Sequence, residues 1–349
     1  MKDIITLSKA VKYSERRVAA NKVSLSNFIT TDNILQNKAG VIEATGLPPS
    51  NSAMPGYEAR NILVGNIRPY LKKIWFANQS GGCSADVLVF EVSSYYDPKF
   101  IYYSMFRDDF FDHIMRGSKG TKMPRGDKNQ ILDFSIPNFK LKEQEQIASV
   151  LSSLDSKISL NNRINAELEA MAKTIYDYWF VQFDFPDKKG KPYKASGGKM
   201  VWSEELKREI PEGWEVKQLK DFAKTGSGGT PLSTVKTYYE NGTIPWINSG
   251  EVNEPFIVKA EKFITEEGLS NSSAKIFKKG TILMAMYGAT AGKVSLMDIE
   301  ACTNQAICAI NTNEEFYRIY IKYGLEDLYR YLVNLSSGSA RDNLSQDKI

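Results

Sequence analysis

The chain has 349 residues, too many for one ordinary hydrophobic core and suited to two or three domains. Its 42% apolar and 25% charged content is that of a globular protein, and a net charge of +4 is too mild to name a partner by itself. No apolar run is long enough to cross a bilayer and no charged-then-apolar leader opens the chain, so the cytoplasm is the expected address.

From the N-terminus, the first readable stretch is NFITTDNI (residues 27–34), a short strand with a polar turn. NILVGNIRPYLKKI (61–74) and CSADVLVFEV (83–92) then read as strand, polar turn, strand, and FIYY (100–103) opens a short amphipathic helix. A basic loop, RGSKGTKMPRGDK (116–128), carries five basic residues, one acid, three glycines and a proline. A second basic group, Arg68, Lys72 and Lys73, is interleaved with Tyr70 and Trp75; either group suits phosphate and base contact, or a solvated surface.

The segment 143–179 contains neither Gly nor Pro and reads as one long helix. A 3,4 spacing from Ile147 runs through Leu151, Leu154, Ile158, Asn161, Asn165, Leu168, Ala172 and Ile175 to Trp179, a heptad seam with two asparagines at its centre. Some 33 such residues make a rod of about 50 Å. Its apolar stripe asks for a second helix, and asparagine in the seam would fix register and partner at a cost in stability.

Beyond the helix, FDFPDKKGKPYKASGGKMVW (183–202) reads as a connection, and a strand is expected over Trp214–Gln218. The second block then repeats the first at a spacing near 220 residues. PWINSGEV (245–252) matches 27–34, TILMAMYGATAGKV (281–294) matches 61–74, and CTNQAICAI (302–310) matches 83–92, cysteine against cysteine. YIKY (320–323) matches 100–103 and GSARDNLSQDKI (338–349) matches 120–131. The first copy runs on into the long helix, whereas the second stops at Ile349, where its own exit strand and helix are expected. The expected layout is 1–138 as the first domain, 139–182 as the spacer helix, 183–210 as a linker and 211–349 as the second domain.

Catalytic chemistry is hard to find. GSGGT (226–230) lacks both the Lys-Ser/Thr of a phosphate loop and dinucleotide-fingerprint spacing, and reads as a glycine turn. His113 is the only histidine; Asp108, Asp109 and Asp112 suit a charged helix face as well as a metal site. Cys83, Cys302 and Cys308 fit neither a disulfide framework nor a metal cluster and are expected as buried thiols. No metal and no cofactor is expected. Binding without catalysis is the reading, against two rivals: a single-chain nuclease or methyltransferase, and an interaction scaffold whose two β-rich domains bind proteins or glycans.

The stretch from Ile136-Pro137, through Glu143-Gln144, Glu145-Gln146 and Ile147, to Trp179-Phe180 resembles the central conserved region of specificity subunits from type I restriction–modification systems. The opening of the second block, IPEGWEVKQLKDFAKTGSGGTP through IPWINSGEV, is similar to the way that family begins a target-recognition domain. The resemblance implies an α+β fold: two similar mixed α/β target-recognition domains separated by a long coiled-coil-type helix. It implies a non-catalytic subunit that reads a bipartite sequence in double-stranded DNA, while modification subunits methylate and restriction subunits translocate and cleave. Family members usually close with a second conserved helix, which this sequence lacks; a natural or deliberate shortening, or self-association through the unpaired helix, would account for that.

Under that resemblance, base edges are read by side chains on loops. For the first domain the expected DNA-contacting residues are Thr31, Asn33, Arg68, Tyr70, Lys72, Lys119, Lys122, Arg125 and Lys128. For the second they are Ser249, Tyr287, Thr290, Lys293, Asn304, Gln305 and Arg341, with hydrogen bonding inside the strand turn as the other reading of Asn304 and Gln305. The expected helix–helix interface is Leu151, Leu154, Ile158, Asn161, Asn165, Leu168, Ala172 and Ile175.

Overall fold

Short apolar runs in both blocks form paired sheets, and the computed structural model describes residues 3–49 and 53–329 of the chain. It divides into two units, Met1–Asn165 and Ala166–Ile349. In the first, strands Val11–Tyr13, Val87–Val92, Ile62–Gly65 and Ile74–Phe76 lie side by side in that order, all antiparallel. In the second, Ala223–Ser227, Ile307–Thr312, Ile282–Ala285 and Val294–Met297 take the same order, with Phe256–Ile257 added at the edge.

Each unit has a second sheet with the same centre. Phe28–Ile29 runs parallel to Gly81–Cys83, which is antiparallel to Ala53–Tyr57. Ile244–Ile247 runs parallel to Ala301–Thr303, which is antiparallel to Ile276–Phe277. The outer strands differ: Arg17–Ala19 sits on Ala53–Tyr57, whereas Lys262–Ile264 sits on Ile244–Ile247.

The repeat reaches the level of single residues. Leu63 pairs with Val89 and Leu283 with Ala309, an offset of 220 in both strands. Side chains alternate accordingly. Ile62, Val64, Leu88 and Phe90 face a helical layer that includes Ile101, Met105 and Phe110, while Leu63, Val87 and Val89 face the second sheet beside Ile29, Ile34 and Tyr57. Likewise Ile282, Met284, Cys308 and Ile310 pack under Ile321 and Leu325, and Leu283, Ala285, Ile307 and Ala309 pack on Ile247 and Phe277. Central strands covered on both faces explain why these segments read as near-continuous apolar runs. One detail of the expected alignment shifts: Ile29 pairs with Cys83 and Ile247 with Thr303, so Cys83 corresponds to Thr303 rather than to Cys302. All three cysteines are buried thiols, and burial pushes Cys83 up to about 12 and Cys302 to about 11.

Helices cover the outer face of the first sheet in each unit. Pro98–Met105 and Asp108–Arg116 do so in the first, and Tyr317–Asp327 in the second, in line with the FIYY and YIKY segments. The long helix is Leu141–Tyr176, 36 residues or about 54 Å, followed by a widened π-helical turn at Asp177–Val181. Ser135–Pro137, which leads into it, pairs with Ile4–Thr6. Glu143 caps its start by accepting the Lys140 amide at 3.0 Å. Gln144, 1% exposed, accepts the Asp97 amide at 2.9 Å and donates to the Phe139 carbonyl at 2.8 Å. Further on, the Tyr103 hydroxyl donates to Asp155 at 2.7 Å. At the other end Tyr176 is buried among Phe180, Tyr320 and Tyr323, and Lys173 pairs with Asp327 at 2.9 Å. Residues 153–168 are exposed without interruption, Asp155 among them. Leu154, Ile158, Asn161, Asn165, Leu168 and Ile175 of the seam are all exposed, and Leu151 and Ala172 half-buried.

Residues 214–218 form no strand, contrary to the sequence expectation. Trp214 instead packs against Phe180, Phe183 and Phe185, and its amide closes a turn onto the Pro211 carbonyl at 3.1 Å. Among the described residues no helix is long and apolar enough to cross a membrane.

Replacing Gln144 by leucine keeps the bulk but removes both hydrogen bonds made by a buried side chain, to the Asp97 amide and the Phe139 carbonyl. The urea midpoint should fall by the equivalent of about 2–3 kcal/mol, followed by far-UV circular dichroism; an unchanged midpoint would remove Gln144 from its place as the latch on the helix.

Candidate nucleic-acid interface

The turn joining the third and fourth strands of each first sheet, in the orders given above, is the element both units build alike. Gly65 donates its amide to the Lys73 carbonyl at 3.0 Å, and Ala285 to Lys293 at 3.0 Å. Asn66 donates to Asp86 and Met286 to Ala306, each at 2.8 Å, which ties the turn to the start of the next strand. Leu71 donates to Arg68 at 2.9 Å and Ala291 to Gly288 at 3.1 Å, closing a single 3-10 turn in each unit. All of these pairs obey the 220-residue offset.

Backbone angles obey it too. Gly288 and Gly292 have φ of +79° and +80°, values that favour glycine. Their counterparts are Arg68 and Lys72, with φ of +51° and +52°. Two basic side chains in the first unit therefore occupy left-handed positions that the second unit gives to glycine.

The preceding loop is repeated as well. Thr30 donates its amide to the Asn33 side chain at 2.7 Å, and Asn248 to the Glu251 side chain at 3.0 Å. This loop is fastened to the turn in each unit by a side-chain donor, of a different kind in the two. The buried Lys73 ammonium donates to the Thr31 carbonyl, whereas the Thr290 hydroxyl donates to the Ser249 carbonyl at 2.7 Å.

In the first unit the basic loop docks on the turn. Arg68 donates its amide to Pro124 at 2.8 Å, and Ile67 and Lys119 each form a bridge with Arg125. Arg68, Tyr70, Lys72, Lys119, Lys122 and Arg125 thus come together. Acids temper the charge: Arg125 pairs with Asp86 at 3.0 Å, Lys119 with Asp127 at 3.4 Å and Lys72 with Asp108 at 3.1 Å. Hydrogen bonds from Lys38 and Lys72 hold the Asp108 carboxyl below the usual carboxylate range. Arg68 and Lys122 are exposed and have no ionic partner among the described residues. Tyr70 is 49% exposed beside them.

Other expected residues are placed differently. Asn33 is buried and spends its amide on the Phe28 and Ile42 carbonyls at 2.8 and 3.1 Å, so it shapes the loop. Trp75 stacks edge-on to Tyr57 in the core between the sheets, its ring centroid 5.7 Å away. Lys128 turns toward the Tyr13 ring, 5.7 Å from its centroid. Asp108, Asp109 and Asp112 do not converge: Asp108 serves Lys38 and Lys72, and Asp109 serves Arg107. His113 is half-buried with its Nε2 2.6 Å from the Gln130 carbonyl.

In the second unit Tyr287, Lys293 and Gln305 are exposed, and Ser249, Thr290 and Asn304 half-buried. Asn304 accepts the Ala306 amide at 3.1 Å, the strand-turn bond that was the other reading of this residue. Gln305 accepts the Thr230 hydroxyl at 2.6 Å, which draws the glycine turn 226–230 to this edge. A Cβ at Gly228 would stand 1.9 Å from the Thr303 carbonyl oxygen, so only glycine allows that approach. Arg341 and the 338–349 match lie outside the described residues. Thr230 and Lys38 were absent from the expected site, and Lys73 was read in the second basic group but not among the expected contacts. Only the tertiary fold brings Thr230 and Lys38 there, although the Thr after GSGG is the one a motif could have flagged.

A family model described as the type I restriction modification DNA specificity domain matches residues 60–170 and 211–349. The specificity subunit of the type I restriction enzyme MjaIX of Methanocaldococcus jannaschii is 26% identical over 227 residues, which cover 64% of this chain and only 50% of that one. The specificity subunit of the type I restriction enzyme HindI of Haemophilus influenzae is 24% identical across 89% of this chain and 80% of its own. The crystal structure of the type I restriction–modification S subunit from M. genitalium superposes with a TM-score of 0.57 at 15% identity, covering 99% of this chain and 82% of that one, a likeness of fold. With the family model matched over more than half its length, on a two-sheet unit repeated either side of a long helix, the chain belongs to the type I restriction–modification DNA specificity family.

Proposed function

We propose that the chain is the sequence-reading, non-catalytic subunit of a cytoplasmic type I restriction–modification complex, with each unit reading one half of a bipartite DNA target. The observation that carries this reading is the duplicated turn, 66–73 and 286–293, which has one backbone and two sets of exposed side chains. A fixed backbone with variable side chains suits the reading of different bases by similar modules. In this reading 1–138 and 211–349 are the target-recognition domains and 139–182 is the spacer. Half-sites about one helical turn apart, roughly 34 Å, need a stiff connection. A helix of about 54 Å is stiff in a way no Gly/Ser linker is. Modification subunits supply methyl transfer, and restriction subunits supply translocation and cleavage.

Arg68 bears directly on this. A left-handed backbone costs a non-glycine residue about 1–2 kcal/mol, and such strain persists where a side chain is needed in one place. Arg68 is therefore assigned to base reading and Lys122, the other unpaired cation on this edge, to phosphate contact.

Selection of bound duplexes from a randomised pool by the complex with its modification subunits should return two short conserved half-motifs flanking a fixed unconserved gap. Arg68→Gly should alter only one half-motif and Tyr287→Ala only the other; a change spread over both would contradict the one-unit, one-half assignment. Arg68→Gly should also leave thermal stability unchanged or raise it by up to about 1 kcal/mol, because glycine relieves the left-handed backbone while adding unfolded-chain entropy. A clear loss of stability would show that the guanidinium serves the fold. Lys122→Ala should weaken binding to every duplex alike and lower the slope of log affinity against log salt by about 1; loss confined to one sequence would reassign it to base reading.

A further inference from the structure

We propose that the segment 183–199, between the long helix and the second recognition domain, is a preshaped lysine hairpin that grips the DNA phosphate backbone without reading sequence. This rests on the DNA-binding function proposed above. The segment holds five lysines against two aspartates, so it carries +3 of the chain's net +4.

Its shape is built in. The Asp184 amide donates to the Tyr178 carbonyl at 2.8 Å and Arg208 donates to the Val181 carbonyl at 2.9 Å, which mounts the segment on the end of the long helix. Phe185 is stacked between Tyr193, 4.8 Å away at 14°, and Trp214, 5.3 Å away at 21°. Pro186 and Pro192 face each other in a bridge, and Gly190 turns the tip at φ +72°. The Tyr193 hydroxyl donates to the Lys199 carbonyl at 2.8 Å and closes the base.

Both acids are used inside this frame. Asp187 accepts the Lys189 and Lys191 amides at 2.7 and 2.9 Å, and Asp184 accepts the Ala195 amide at 2.7 Å. Lys199 pairs with Glu212. Lys188, Lys189, Lys191 and Lys194 are left exposed, with no ionic partner among the described residues. A rigid frame that turns its carboxylates inward and four ammonium groups outward is an anion-binding surface.

The chemistry favours phosphodiesters over other polyanions. Phe185 and Tyr193 stack within the frame, and the tip, residues 186–192, carries no aromatic or aliphatic side chain except proline to anchor a bilayer or a protein partner. From 186 to 192 the sequence is PDKKGKP, without Arg, Asn or Gln, the side chains that read base edges. Lysine point charges on a fixed turn hold phosphates and leave sequence to the strand-end turns.

The test uses the full chain assembled with its modification subunits, a duplex bearing the selected target, and a duplex of unrelated sequence, each titrated across a salt series. The quadruple variant Lys188→Ala, Lys189→Ala, Lys191→Ala, Lys194→Ala should lower the log–log salt slope by about 2–3 and weaken both duplexes by at least about tenfold, with the ratio between them preserved. The matching four Lys→Arg substitutions should restore both. An unchanged slope overturns the proposal, as does loss on one duplex only. Loss of assembly with the modification subunits at an unchanged salt slope would make the hairpin a protein-docking element instead. If the parent complex binds neither duplex, the DNA-reading function itself falls.

Discussion

A backbone amide at the end of a central strand, donating across an eight-residue turn, governs the candidate reading edge of each unit: Gly65 to Lys73, and Ala285 to Lys293. Main-chain bonds of this kind do not depend on which side chains the turn carries. The second bond, to Asp86 or Ala306, locks the turn to the following strand, and the covered sheet beneath locks the strands. The scaffold thus determines where the turn lies, and the side chains on it are free to differ: Arg68, Tyr70 and Lys72 in one unit, Gly288, Thr290 and Gly292 in the other. The same division appears at the loop tether, where Lys73 and Thr290 hold equivalent carbonyls by unrelated groups. Duplicated architecture with unlike contents is what reading two different half-sequences requires.

The long helix is governed by where its apolar surface is covered. Gln144 and Ala148 are buried at its start and Tyr176 near its end, while residues 153–168 are exposed. A helix that is exposed on all sides for four turns draws little stability from tertiary packing there and must rely on local propensity and on its two fixed ends. Asn161 and Asn165 fall in this exposed stretch, within an apolar seam that asks for a helical partner.

Much of this was legible in the sequence because it rests on periodicity. Sheets buried on both faces produce apolar runs, and two copies of them produce a repeat; the heptad spacing gave the helix to within a few residues of its ends. What escaped depends on tertiary partners. The cysteine-to-cysteine match misled by one residue, since similarity of letters cannot see that Cys83 pairs with Ile29 as Thr303 pairs with Ile247. Trp214 has strand propensity, but its amide closes a turn onto Pro211 while its ring packs on three others. Asn33 has the right chemistry for reading bases, yet its amide closes a loop, and Lys73 is basic but buried as a tether. Gln144 appeared only as part of a motif; its burial shows why glutamine is placed there, since its one amide serves both an amide and a carbonyl.

The central claim, that two like units read two half-sequences for a partner methyltransferase, is tested most directly by mapping DNA methylation in cells carrying this chain with its modification subunit, and in cells carrying the modification subunit alone. The account predicts adenine methylation at a bipartite motif with a constant unconserved gap, present only when this chain is expressed. Methylation at one uninterrupted motif, or a methylation pattern indifferent to the chain, would contradict it.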